Sequence, residues 1–267
     1  MEVNGYEIGP TVALFGADLR GVDLRNANLI GSSCEGADFT SADISSATLY
    51  RATFRGATLV GANLSGTLLA GADFTGANLS GANLTSANLT GVNFAGANLT
   101  GAIFGVDPNF AGSNFTRANL SKVKIYNADF RKTLCALVDF SGADLSGADF
   151  GNMDLRLCNF SDAILDAAVF TSADLVWSKF VNADLTDSTF LDAKLNWSKA
   201  MNAIFLFSNL DRAELSYGDF QGANFEGATL INANLEGANF TGASFIDAKI
   251  AGAQLDGARM SDGSIYE

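Results

Sequence analysis

The chain has 267 residues, of which 48% are hydrophobic, with 29 acidic and 16 basic side chains and no histidine. A net charge of −13 disfavours non-specific nucleic-acid binding. No run approaches the ~18 apolar residues that would span a membrane.

Residues 1–11 precede any regular pattern. Val3, Tyr6 and Ile8 are expected to cover an otherwise open first coil, as an N-terminal cap. Residues 1–10, MEVNGYEIGP, lack a basic region followed by an apolar run. This reads as a cytoplasmic protein without a secretory signal, unless an import sequence was already removed.

From Leu14 to Phe104 a large apolar residue recurs every five positions, as in 71–100, GADFTGANLSGANLTSANLTGVNFAGANLT. In that stretch a small residue stands two positions before each, Asn or Asp stands one before, and Gly or Ser follows two after. A helix would carry successive Leu/Phe positions about 140° around its axis, giving no stripe. A continuous strand would send them to opposite faces. The pattern works only if the chain turns once per repeat. In Ala77-Asn78-Leu79 the first and third residues point inward and Asn78 outward, and Ser80-Gly81 form the corner.

The rhythm slips once. Five residues, Gly105-Val106-Asp107-Pro108-Asn109, separate Phe104 from Phe110 where four are expected, and Pro108 takes an Ala position. A bulge or small kink is expected at 105–109. A basic cluster follows, Arg117, Lys122, Lys124, Arg131 and Lys132. It is either a solvated face or a dock for an acidic partner. One coil then carries Asp139, Asp144, Asp149 and Asp154 at all four outward positions, a candidate acidic ring.

Leu137, Leu157, Trp177, Trp197 and Tyr217 lie twenty residues apart at the corner position that is Gly elsewhere. Stacked coils would align them about 4.8 Å apart on one outer edge. The edge either packs on itself, with Lys179 and Lys199 over the indoles, or binds a partner. Phe207 is placed at the next corner along the chain and joins the candidate partner-binding set. Ala200 stands where a Phe is expected, predicting a gap or a ring drawn in from Phe205 or Phe180. The rhythm ends at Met260, and 261–267 read as a C-terminal lid.

Phe recurs every ten residues from 130 to 190, and from 220 to 255 the inward series repeats after twenty. Both fit four repeats per coil and not three. The A(D/N)LXX repeats over about 12–260 resemble the pentapeptide-repeat proteins. The resemblance implies an all-β fold, a right-handed quadrilateral β-helix with a dry interior. Fifty repeat centres would make about 12 coils, roughly 60 Å long.

Cys34 and Cys135 occupy Leu/Phe centres and Cys158 an Ala position, so they read as core. No CxxC occurs, and no metal or cofactor is expected. No phosphate-binding loop is present, and carboxylates on a convex, solvated surface are poorly placed for acid–base chemistry. The chain therefore reads as no enzyme but a rigid scaffold or protein-protein interaction module, acting through the apolar edge and flanking charged bands. It is expected as a monomer or an end-to-end dimer. The alternative comes from the resemblance, since some relatives mimic duplex DNA and bind DNA gyrase. They are marked by projecting loops and a C-terminal dimer helix, which this sequence lacks.

Overall fold

A computed structural model describes residues 2–267. Among these there is no helix, and the chain forms a β-helix in which short extended pieces alternate with turns. Parallel bridges join residues twenty apart, such as Asn78 to Asn98 and Asp184 to Ile204. One coil therefore takes four five-residue repeats.

The hydrogen bonds of a single repeat explain its sequence. Asn78 N–H donates to Ala57 C=O of the coil before (2.9 Å), while Leu79 and Gly81 N–H donate to Asn98 and Thr100 C=O of the coil after (2.7 and 2.9 Å). Ala82 N–H closes the turn onto Leu79 C=O (3.0 Å). That leaves Ser80 N–H, which donates to the Asn78 side-chain oxygen (3.1 Å). All five backbone donors are satisfied. The Asn/Asp position is thus a turn acceptor, the Ala and Leu positions are the dry interior, and the corner needs positive φ, as at Gly81 (φ 66°).

The chain divides into two compact units, one ending at Leu134 and the other beginning at Cys135. The first opens on a hairpin of β1 (Glu2–Val3) and β2 (Tyr6–Glu7), joined by Asn4-Gly5 with both φ positive. Ile8 is buried, and the Tyr6 hydroxyl accepts a bond from Asp18 N–H (3.4 Å). Inside, Phe54, Phe74, Phe94 and Phe115 stack ring on ring at 4.8–5.4 Å. The extra residue near 105 is absorbed as a bulge. β3 (Ile103–Val106) pairs in parallel with β4 (Lys124–Tyr126), Ile103 facing Lys124 but Gly105 facing Ile125. The register thus drops from 21 to 20, and the core series resumes at Phe110, which is buried.

In the second unit two Phe columns run through the core. Phe140, Phe160 and Phe180 stack in one, and Phe150, Phe170 and Phe190 in the other, with edge-to-face contacts between columns. At Ala200 the series breaks. Phe205 takes up the contact, 5.7 Å from Phe190 and stacked on Phe225 at 4.8 Å. Residues 257–266 fold back antiparallel, with Tyr266 N–H on Ala258 C=O (2.8 Å). The three cysteines are free and buried. Burial pushes the thiols of Cys34 and Cys158 up to about 12, which leaves them unreactive.

Candidate functional site

Twenty-residue stacking places Leu137, Leu157, Trp177, Trp197 and Tyr217 in one column at an outer corner of the second unit. Each has φ between 57° and 63°. Side chains with a Cβ are disfavoured there by roughly 1 kcal/mol or more, and bulky ones are uncommon. Nothing in the repeat demands them, since Gly237 and Gly257 serve the same corner farther on.

The rings stack: Trp177 on Trp197 at 5.2 Å and Trp197 on Tyr217 at 4.7 Å, each pair tilted by 14°. They nevertheless stay 53%, 44% and 45% exposed. Among the described residues the one cation over a ring is Arg51, over Tyr50. Lys179 and Lys199 therefore do not cover the indoles as the spacing suggested; the indoles cover each other. Tyr217 donates to Glu236 (2.8 Å), which holds its phenol above the usual value.

The Tyr217 ring lies where a Cβ on Gly237 would stand, 2.6 Å from it. Gly237 thus has two reasons to be glycine, its positive φ and the ring above it. Gly237→Ala is expected to cost about 1–2 kcal/mol in chemical denaturation, and Tyr217→Gly should recover part of the loss. Equal losses in both backgrounds would show that the ring is not the obstacle.

Beyond Trp177 the column opens into an apolar hollow of ≈ 470 Å³, lined by Ala136, Leu137, Asp154, Arg156, Leu157, Val176 and Trp177. On its rim Arg156 grips Asp154 through two bonds (2.8 and 2.6 Å) and approaches Asp174 at 3.8 Å. The Arg156 guanidinium holds the Asp154 carboxyl below its ordinary value.

The other sequence candidates do not converge. Corners recur every five residues, so 202 is the corner after Trp197, and Phe207 stands one farther, diagonally opposite. It lies over Gly227 and is no part of the apolar column. The four acidic-ring carboxylates occupy the four sides of one coil. Each accepts the N–H two residues on, from Ser141, Ser146, Gly151 and Arg156. They are turn acceptors first. The basic cluster, in the first unit, wraps around its coil. Arg117 and Lys122 stand at successive corners, Lys124 lies in β4, Arg131 pairs with Asp129 (2.8 Å), and the Lys132 carbonyl accepts from Gly112 N–H.

The spacing sets Lys179 and Lys199 beside the indoles; what sequence reading missed is Lys194, which makes them a collar. Lys179 and Lys199 face each other across the ladder on one side of the aromatic corner. Lys194 lies on the other side, between Asp174 and Glu214. All three are exposed. Only a twenty-residue count would have assembled them.

The repeat's five positions now have physical roles, and the chain matches the family described as pentapeptide repeats over residues 17–105, 107–134 and 135–262. The chain belongs to the pentapeptide-repeat family. Similar solved structures include HetL, a pentapeptide-repeat protein involved in heterocyst differentiation regulation from the cyanobacterium Nostoc sp. strain PCC 7120, at 28% identity over 96% of this chain and 92% of that one (TM-score 0.30). A pentapeptide-repeat protein of the Arabidopsis thaliana thylakoid lumen is 32% identical over 40% of this chain and 68% of that one (TM-score 0.23). QnrB1, a plasmid-mediated fluoroquinolone resistance protein, is 18% identical over 76% of this chain and 93% of that one (TM-score 0.35). A search of curated proteins returns no match. Among the described residues of this pentapeptide-repeat protein, no helix is long and apolar enough to cross a membrane.

Proposed function

We propose that this pentapeptide-repeat protein is a non-catalytic interaction module that receives a protein partner on the outer corner formed by Leu137, Leu157, Trp177, Trp197 and Tyr217. The full scaffold is a right-handed solenoid of about 12 coils working in the cytoplasm. The observation that carries this reading is the cost of the corner. Five bulky side chains occupy left-handed backbone that Gly237 and Gly257 fill farther along the same column, and they leave aromatic surface and a hollow open to solvent. Tryptophan and tyrosine are the side chains most enriched among interface anchors. The alternative, docking on DNA gyrase as a duplex mimic, rests on an acidic ring whose carboxylates face four directions and serve the turns.

Trp177→Gly tests the proposal. Relief of the left-handed strain, roughly 1 kcal/mol, offsets the ~0.5–1.5 kcal/mol lost with the ring stack, so the unfolding midpoint should barely move. Binding of proteins captured from a native extract should weaken by about 2 kcal/mol or more. A lowered midpoint with every captured partner retained would reduce the corner to self-packing and defeat the proposal.

A further inference from the structure

Midway along the column, between Leu157 and Trp197, the charges run against those of the chain. Flanking the column from Leu157 to Trp197 are Asp154 and Asp174 against Arg156, Lys179, Lys194 and Lys199. Four positive against two negative leaves +2 there, in a chain whose net charge is −13, and the stretch is bounded by Asp139 beside Leu137 and by Glu214 and Asp219 beside Tyr217. Several arginines are neutralised locally, as Arg20 is by Asp18, Arg25 by Asp23 and Arg156 by Asp154. The lysines are not. Among the described residues Lys179, Lys194 and Lys199 enter no ion pair. This holds for Lys194 even though Asp174 and Glu214 are its neighbours along the ladder. Lys179 and Lys199 stand directly opposite each other, an arrangement that repels.

Resting on the reading of the corner as an interaction surface, we propose that its occupant is an acidic peptide segment with one aromatic or aliphatic anchor. The anchor enters the hollow between Leu137, Leu157, Val176 and Trp177, and its carboxylates meet Lys179, Lys199 and Lys194. The hollow is large enough for one such side chain and offers it leucine, valine and the end of the ring stack. Basic segments are repelled by the collar. Single-stranded nucleic acid is the other anionic class with flat apolar groups. It fits less well, because the rings of Trp177, Trp197 and Tyr217 spend their faces on one another. A long polyanion would also meet the acidic remainder of the chain.

The experiment is selection of a displayed random-peptide library on the full chain, with counter-selection on Trp177→Gly. The expected peptides combine several Asp or Glu with one Phe, Trp or Leu. Binding of a synthesised representative should fall at least tenfold with Lys179→Glu/Lys199→Glu, and fall again as salt rises from about 50 to about 500 mM. Both lysines are exposed, so the melting curve of that variant should match the parent, and Lys179→Met/Lys199→Met should melt at or slightly above it as the repulsion is relieved. Peptides that depend on Trp177 but are basic or neutral, or ignore the lysine changes, overturn the acidic assignment and leave the interaction module standing. Selection of nothing that depends on Trp177 overturns both. Tighter binding of oligothymidine than of any selected peptide, lost with Trp177→Gly, overturns the peptide assignment in favour of nucleic acid.

Discussion

Phe170→Ala should lower the unfolding free energy by about 3–5 kcal/mol, the range for a fully buried phenylalanine. Phe170 has no exposed surface. It stacks on Phe150 at 5.1 Å and on Phe190 at 4.8 Å, and meets Phe160 and Phe180 edge-on at 5.7 and 6.0 Å. Each aromatic contact adds about 0.5–1.5 kcal/mol beyond its buried area. The void cannot close easily, because the inter-coil ladder fixes the spacing of the rings above and below. Phe170→Leu should cost much less, since Leu165 and Leu185 fill neighbouring columns of the same core. Denaturant titration at constant slope is the measurement. A loss under about 1 kcal/mol for the alanine variant would mean that these rings are not packed as described.

The second large effect has the opposite sign. Ser178 and Ser198 are fully buried at inward positions one coil apart, and neither hydroxyl oxygen has a hydrogen-bond partner. Their counterparts behave differently, with Ser188 donating to Leu185 C=O (2.6 Å) and Ser208 to Phe205 C=O (2.7 Å). An unsatisfied buried hydroxyl costs about 1–3 kcal/mol. Ser178→Ala/Ser198→Ala together should therefore stabilise the protein by about 3 kcal/mol, while Ser188→Ala should destabilise it by about 1. Alanine already holds this inward position in the same column at 238 and 258, so the backbone accepts it. A destabilised double variant would show that the two hydroxyls are bonded in solution, and the prediction would fail.

The repeat is legible because every residue in it has a separate physical job, and five jobs recur in fixed order. Leu79 is inward, Asn78 caps the turn, Gly81 takes the positive φ, and no long-range knowledge is needed to see it. The replacement of Gly by Trp177 and Trp197 was visible for the same reason. Surfaces were harder, because two residues adjacent in sequence look toward different sides while residues twenty apart touch. Asp139 to Asp154 looked like a patch and is a ring. Phe207 looked like a neighbour of Trp197 and is across the coil from it. Lys194 joins Lys179 and Lys199 only after the coils are stacked. Ala200 was visible as a missing ring, but the way Phe205 reaches Phe190 depends on the rotation of a side chain, which periodicity does not encode.

The twenty-residue register also makes the fold an arithmetic device for sequence change. Removing or duplicating twenty residues within the second unit keeps every side chain on its own face, so such an edit changes only length. Removing five preserves the buried series and the backbone ladder but rotates everything downstream by one side. Trp197 would then leave the line of Trp177 while the protein stayed folded. A single added residue is tolerated only where a bulge like that at Ile103–Gly105 can swallow it. Core and surface therefore obey different divisors, five for the interior and twenty for anything displayed on the outside. Changes of length can redraw the exterior of such a protein while its interior goes on folding as before.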